Sequence, residues 1–207
     1  MPLPPADSNR TSRHVRTVRV EAFERDDGLW DIDARLTDTK PEAFELATGT
    51  RPAGSAVHDM WLRLTIDTRM TVVDATAVSD TVPYPTHCDT IGPAYKALIG
   101  LNLLDGFRQG VRARLGGVAG CTHLTELTGV LPTAAVQAFA GTVYRRQTAG
   151  QTDRRPFQLD RCHALRTDGE VVQRWYPRWF AAAASTPAVP AAQPAASTEF
   201  SDPRTER

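Results

Sequence analysis

The sequence is poor in the features that mark membrane, secreted and nucleic-acid-binding proteins. No apolar run approaches the roughly 20 residues that a helix needs to cross a bilayer, and the Pro-rich stretch 1–9 lacks the apolar core of a signal peptide. The three cysteines are an odd number without local clustering, which makes a poor disulfide framework. Because the formal net charge is zero, no basic surface favours nucleic acid or an anionic membrane. We therefore expect a cytoplasmic protein that binds neither nucleic acid nor membranes.

Several catalytic motifs are absent as well. The sequence has no G-x-G-x-x-G before a helix, no Walker A, no H-E-x-x-H and no G-x-S-x-G. These absences argue against a nicotinamide enzyme, a nucleotide-phosphate enzyme and a serine hydrolase. Cys-x-x-Cys is also missing, which excludes a zinc ribbon or a thioredoxin-type site.

The composition predicts one folded domain with unstructured ends. A chain of 207 residues that is 41% hydrophobic can bury a substantial core. Residues 1–12 are polar and Pro-rich, and residues 181–207 are rich in Ala, Pro, Ser and Thr with almost no large apolar side chains. Such segments cannot bury enough surface to offset their ordering entropy, so we expect both to be disordered. The folded domain is predicted to span 13–180.

Hydrophobic periodicity predicts an α+β fold, an antiparallel β-meander with helices packed on one face and a C-terminal β-hairpin. Period-two alternation predicts four strands, at 18–23, 30–37, 60–66 and 71–79. Helical spacing predicts four helices, at 93–101, 103–115, 120–130 and 133–146. The C-terminal hairpin is expected over 162–175.

Alternation also assigns the two faces of the predicted sheet. We expect the helices to cover the side that carries the large apolar residues of two central strands, Trp30, Ile32, Leu36, Leu62 and Leu64. The opposite side, with Asp31, Asp33 and Arg35, reads as a solvated face with weak ion pairs. Alternatively, helices of a second subunit cover that face in a homodimer and turn it into a polar pocket.

Each of the three cysteines has a histidine within two residues in the sequence. Thiolate and imidazole are common zinc ligands, and a thiolate beside an imidazolium is the usual reactive pair. We predict one metal site from the residues of these pairs, Cys88, Cys121, His123, Cys162 and His163. Zinc is the candidate ion, and the alternative is that the cysteines are ordinary core residues and that no cofactor is bound.

Four residues are candidates for catalysis. His58 points to the apolar face, where burial would keep its imidazole neutral and basic, although an inward histidine is often just a satisfied core group. Cys121 and His123 lie at a predicted helix start, which favours a thiolate. Lys40 ends a strand, where it can hold a substrate carboxylate or phenolate.

A second set of residues is predicted to bind the substrate. Its members are polar or aromatic side chains at strand ends and junctions, namely Arg35, Asp38, Tyr84, Tyr95 and Arg161. Three prolines stiffen the junction that carries the two tyrosines, so that junction can bind an aromatic ring. Simple hinge packing accounts for the same residues equally well.

Four stretches of the chain resemble a bacterial family known as domain of unknown function 2889. They are 25–40 (RDDGLWDIDARLTDTK), 58–66 (HDMWLRLTI), 120–127 (GCTHLTEL) and 160–166 (DRCHALR). Because they are spread over about 20–180, the resemblance covers the whole predicted domain. The resemblance implies a small cytoplasmic protein encoded beside genes that degrade aromatic and acyl compounds, and hence a part in small-molecule catabolism.

These observations favour an enzyme without an elaborate cofactor. We expect a lyase or isomerase that acts on a phenolic, aromatic or acyl intermediate by acid/base chemistry, for example a retro-aldol cleavage that releases a small aldehyde. One alternative is a Cys/His metal-binding, iron–sulfur or sulfur-handling module. Another is a non-catalytic protein that binds an aromatic ligand.

Overall fold

A computed structural model of the chain describes residues 3–144 and 155–182. The chain divides into two compact units, Met1–Ala149 and Gly150–Arg207. The predicted single domain of 13–180 includes residues of both units and stays a prediction. Residues 3–12 are exposed and form no helix or strand, whereas most of the predicted C-terminal tail lies outside the described residues. Among the described residues, no helix combines the length and the apolarity that crossing a membrane requires.

The first unit is built on a four-stranded antiparallel sheet, which confirms the predicted meander. Its strands are β1 (Val15–Glu24), β2 (Trp30–Thr39), β5 (Ala56–Ile66) and β6 (Val72–Thr81), in the spatial order β1-β2-β5-β6. Two short strands that periodicity did not predict, β3 (Phe44–Leu46) and β4 (Gly49–Arg51), form a separate hairpin between β2 and β5.

The two faces of the sheet follow the predicted alternation. Along β2 every second side chain is buried, and Ile32, Ala34 and Leu36 are fully buried. Ala34 lies opposite Leu62 of β5, so apolar side chains meet across the strands on one face. Because side chains alternate with a period of two, the residues between them lie on the other, polar face. We call these the inner and the outer face.

Helices cover the inner face, as predicted. They are a 3-10 helix at Cys88–Leu98, α1 (Phe107–Leu115), a 3-10 turn at Gly117–Ala119, α2 (Thr122–Thr128) and α3 (Leu131–Ala140). Buried residues of these helices, including Leu98, Val111, Leu127 and Phe139, join the sheet in one hydrophobic core.

Two helix boundaries differ from the prediction because of proline. The predicted helix at 93–101 is a 3-10 helix that starts earlier, at Cys88, and contains Pro93. Proline lacks the N–H that an α-helix interior needs, and this segment adopts the more tightly wound 3-10 helix instead. Pro132 instead lies in the first turn of α3, where an N–H has no intrahelical partner in any case.

The second unit contains a 3-10 turn at His163–Leu165, helix α4 (Glu170–Trp175) and a 3-10 turn at Pro177–Trp179. The predicted C-terminal hairpin is therefore wrong. The Asp160 carboxylate accepts a 2.8 Å hydrogen bond from the Thr167 N–H, which closes a loop before the helix. Glu170 in the first turn and Arg174 in the last suit the helix dipole, which favours a helix over an unpaired strand.

Candidate active site

The apolar inner face of the sheet ends in a row of polar residues. Asp38 continues the buried alternation of β2, and only 3% of its surface is exposed. Its register partners are Arg16 on β1 and His58 on β5, so three polar side chains lie side by side across neighbouring strands. A register shift follows at once, between Asp38 and Thr39. The sheet thus places this row at the end of the inner face.

Asp38 is the centre of the row and accepts hydrogen bonds from three side chains. Arg16 donates from Nε (2.8 Å) and Nη2 (2.9 Å), His14 from Nε2 (2.9 Å) and His58 from Nδ1 (3.0 Å). Burial opposes ionisation of this carboxyl, but the hydrogen bonds from Arg16 and His14 outweigh burial and hold its pKa at about 2. Asp38 is therefore a carboxylate at neutral pH.

Helix α2 adds a second imidazole to the row. The ring of His123 stacks on that of His58, with ring centroids 3.7 Å apart and an interplanar angle of 30°. His123 Nε2 lies 3.7 Å from Asp38 Oδ2. The helix is held in place by the buried side chains of Leu124 and Leu127, which pack into the core. Three histidines that are distant from one another in sequence, His14, His58 and His123, thus lie around one carboxylate.

Both stacked histidines are poor proton binders. Burial, followed by the proximity of His123, lowers the pKa of His58, and burial, followed by the charge of Arg16, lowers the pKa of His123. Both imidazoles are therefore neutral near pH 7. Because the Asp38 carboxylate can only accept hydrogen bonds, Nδ1 of His58 must carry the hydrogen, which leaves the lone pair of Nε2 free. The side chain of His58 is 14% exposed, so this part of the site is largely shielded from water.

A family model described as "Protein of unknown function (DUF2889)" matches residues 14–137, more than half of the chain. The chain belongs to this family. The matched segment contains all the site residues, from His14 to Glu126. No curated protein and no solved structure matches the chain.

The DUF2889 site also brings together possible metal ligands. In the part of the chain that the structure describes, one group of three or more histidine, cysteine and acidic side chains could share an ion, and its donor atoms lie within 4.8 Å of one another. The group is Asp38, His58 and His123. A metal ion would lie about 2.1 Å from each nitrogen on the lone-pair axis of each ring, which holds two coordinating rings further apart than a face-to-face stack does. The observed 3.7 Å stack would therefore have to open before both rings could bind an ion.

No cysteine belongs to this group, so the structure assembles a different site from the predicted cysteine–histidine metal centre. All three cysteines are free thiols. Cys88 and Cys121 are partly buried and pack against the hydrophobic core, as small apolar side chains commonly do. Cys162 is exposed, and with His163 it belongs to the second unit.

Two of the predicted substrate-binding residues have a structural role. Tyr95 is fully buried and belongs to the hydrophobic core, and its predicted contact with substrate stays a prediction. Its hydroxyl accepts a 3.1 Å hydrogen bond from the Cys121 N–H and lies 2.8 Å from Thr125 Oγ1, which anchors the start of α2. Arg35 lies on the outer face, where it donates twice to Asp59 and covers the Trp61 ring at 4.7 Å.

Two further predicted residues of the first unit, Lys40 and Tyr84, make no hydrogen bond to the row among the residues that the structure describes. Lys40 Nζ lies 5.3 Å from the centre of the Phe44 ring, in a cation–π contact at the end of β2. Tyr84 is half exposed. Arg161 is exposed and belongs to the second unit. Their predicted roles in catalysis or substrate binding stay predictions.

Sequence reasoning did not single out His14, Arg16 and Glu126. A signal for Arg16 was present, since it has the same strand parity as Val18 and Val20, and this parity places it on the inner face. Glu126 lies three residues after His123, and that spacing places two side chains on one side of a helix. No such periodicity points to His14, which precedes the first strand.

Proposed function

We propose that this protein is an enzyme in which His58, oriented by Asp38, acts as a general base on a small organic substrate. The observation that carries the proposal is the 3.0 Å hydrogen bond from His58 Nδ1 to a buried, ionised carboxylate. Such a bond fixes the ring and its tautomer and stabilises the imidazolium that forms on proton transfer. The side chains that hydrogen-bond to Asp38 are two imidazoles and a guanidinium, and this set supports an acid/base role for the row.

Lyase or isomerase chemistry fits a pair of neutral imidazoles best. In a retro-aldol cleavage, Nε2 of His58 takes the proton of a β-hydroxyl group, the adjacent C–C bond breaks, and an aldehyde leaves. The electron pair of that bond is delocalised into the substrate carbonyl or aromatic system and is then protonated at carbon. His123, whose ring stacks on that of His58, is the second group that we propose for this proton transfer. An isomerase needs the same two proton transfers without the bond cleavage.

The charge balance of the row suggests the class of substrate that we propose. Arg16, the cation of the row, is bound by Asp38 on one side and Glu126 on the other, so its charge is already balanced. A neutral or singly charged phenolic or acyl intermediate suits such a site better than a polyanion. The cytoplasmic location and the homodimer stay predictions of the same kind.

Divalent metal binding by Asp38, His58 and His123 is the second candidate, because these donor atoms lie within 4.8 Å of one another. A bound ion would act as a Lewis acid on a substrate oxygen. It would also have to separate the stacked rings and compete with Arg16 for the carboxylate. The hydrogen-bonded pair needs no such rearrangement, and we therefore rank it first.

Proton transfer is tested most directly by isotope exchange and product analysis. Phenolic and acyl compounds with a β-hydroxyl group or an acidic C–H are incubated with the full chain in D2O, and aldehyde release and deuterium uptake at carbon are followed by NMR. For any compound that reacts, His58→Gln should lower the rate by about 100-fold or more, the usual contribution of a general base. His87→Gln is the matched control, since His87 is exposed and bonds only to its neighbours. Equal rates for wild type and His58→Gln would contradict the proposal.

Metal analysis of untagged protein separates the two candidates. Under the first proposal, activity survives a chelator. If a chelator abolishes activity and a divalent ion restores it, the second candidate replaces the first.

A further inference from the structure

Arg16 makes hydrogen bonds in two directions with a single side chain. Its Nε and Nη2 bind the two oxygens of Asp38, at 2.8 and 2.9 Å, in the bidentate geometry that arginine shares with no other side chain. Its Nη1 donates to Glu126 Oε2 on helix α2. All three guanidinium nitrogens are thus engaged, and one residue links β1, β2 and α2.

Both partners of Arg16 lie next to an imidazole of the site. Asp38 Oδ2, which accepts from Arg16 Nη2, also accepts from His58 Nδ1. Glu126 follows His123 by three residues on α2, so the two side chains lie on neighbouring parts of one helix surface. The orientation of each histidine therefore depends on a group that Arg16 holds.

We propose that Arg16 is a positioning residue that aligns the two histidines. It holds the Asp38 carboxylate in the orientation that fixes the Nδ1–H tautomer of His58, and it holds α2 so that His123 stacks on that ring. The inference rests on the proposed function for its catalytic meaning, but the alignment itself can be measured without a substrate.

Arg16 adds a polar link to a helix whose buried side is packed and whose start is held by the Tyr95 hydroxyl. Helix α2 covers only Thr122–Thr128, and a helix this short has little stability of its own. Leu124 and Leu127 anchor its buried side, whereas the link on the side of Glu126 is polar. The side chain of Arg16 is 29% exposed, so it contributes directed hydrogen bonds rather than a filled core.

The test compares Arg16→Gln with Arg19→Gln in the full chain. Arg19 lies on the same strand but on the outer face, where its exposed side chain pairs with Glu21. Histidine labelled with nitrogen-15 reports the tautomer of each ring through its nitrogen shifts, and nuclear Overhauser effects between the rings report the stack. Thermal unfolding and the amide spectrum report whether each variant is folded.

We expect Arg16→Gln to turn the Nδ1–H tautomer of His58 from the dominant form into a minor one and to remove the contacts between the His58 and His123 rings. Arg19→Gln should keep both signals. Should Arg16→Gln fail to fold, Arg16→Lys is measured instead, because lysine keeps the charge but cannot bind both Asp38 oxygens and Glu126 at once. The same loss of signals in that variant supports the proposal. Wild-type tautomer and ring contacts in a folded Arg16 variant overturn it.

The activity assay then separates this inference from the proposed function. If the wild type transfers protons, the Arg16 variant should do so about 100-fold more slowly, as expected when reacting groups are misplaced by about an ångström. A changed tautomer in a protein whose wild type transfers no proton would leave the positioning role standing and remove the proposed function.

Discussion

The two faces of the sheet carry the same kind of ion pair in different surroundings. On the outer face, Arg63 of β5 donates two 2.6 Å hydrogen bonds to its register partner Asp33 of β2. On the inner face, Arg16 of β1 binds its register partner Asp38 of β2 in the same two-pronged way. The side chains of Arg63 and Asp33 are 53% and 16% exposed, against 29% and 4% for Arg16 and Asp38. Asp38 also binds two histidines, His14 and His58.

This difference shows that surroundings rather than residue type decide what an ion pair does. An ion pair exposed to water adds little to the stability of the fold, because solvent screens both charges and the side chains lose entropy when they pair. A buried carboxylate must have its charge balanced, and each group that balances it becomes ordered in turn. The inner pair thus organises imidazoles for chemistry, while the outer pair covers a polar surface. Four measurements would break or sharpen this comparison.

The largest difference in stability is expected between substitutions of the two tryptophans of the sheet, Trp30 and Trp61. Trp30 is 5% exposed on the inner face and packs 4.9 Å from the Phe139 ring, so Trp30→Ala should lower the free energy of unfolding by about 3–5 kcal/mol. Trp61 lies on the outer face with contacts to Arg35 and Asp80, and Trp61→Ala should cost about 1 kcal/mol. Urea unfolding measures both. Similar losses would mean that the outer face is covered, as in the predicted homodimer.

The second-largest difference in stability is expected between substitutions of Asp38 and Asp33. Asp38→Asn removes a buried charge that balances Arg16, and we expect a loss of about 2–3 kcal/mol. Asp33→Asn breaks the exposed pair with Arg63 and should cost less than about 1 kcal/mol. Denaturant midpoints at pH 7 decide between them. Equal losses of stability in the two variants would show that burial of Asp38 gives the inner ion pair no special role.

The pH dependence of stability should reflect the titration of the row around Asp38. The pKa of Asp38 in the folded protein, about 2, is below the ordinary 3.8, so the folded state binds fewer protons in this range. The resulting stabilisation, about 2 kcal/mol, is present above about pH 4 and is lost as pH falls from about 4 to 2. The lowered pKa values of His58 and His123 act in the same direction below about pH 6.5. Between about pH 4 and 2 the free energy of unfolding should therefore fall more steeply for wild type than for Asp38→Asn, and parallel curves in that range would contradict the assignment.

The smallest effect on activity is expected for substitution of Cys121. This residue precedes His123 by two positions, but its side chain takes no part in the hydrogen bonds of the row. Its thiol is free and packs against the core, so Cys121→Ala should leave the rate of proton transfer within about twofold of wild type. His58→Ala should lower that rate by about 100-fold or more. A large loss of activity in Cys121→Ala would return the thiol to the candidate nucleophiles.

Local periodicity was sufficient to predict the sheet and its faces. The alternation along 30–37 predicted which side of β2 is buried, and the parity of His58 with Met60 predicted that His58 points inward, where the structure places it. Such patterns succeed because the burial of each side chain repeats with the period of its own strand. Pro93 and the loop closed by Asp160 show where this reasoning stops, since backbone donors and turn contacts decided those elements.

The sequence by itself determined the α+β class, the apolar inner face and the inward histidine, because each depends on residues close together in the chain. Only the tertiary structure decided the site. The register of β1, β2 and β5 set Arg16, Asp38 and His58 in one row, and a shift of one residue would have turned Asp38 outward. Cys121 and His123 are close in sequence, but their side chains have different surroundings: the thiol packs against the core, and the imidazole lies beside Asp38. The reason is that a thiol packs favourably into a core, whereas an imidazole needs a polar partner.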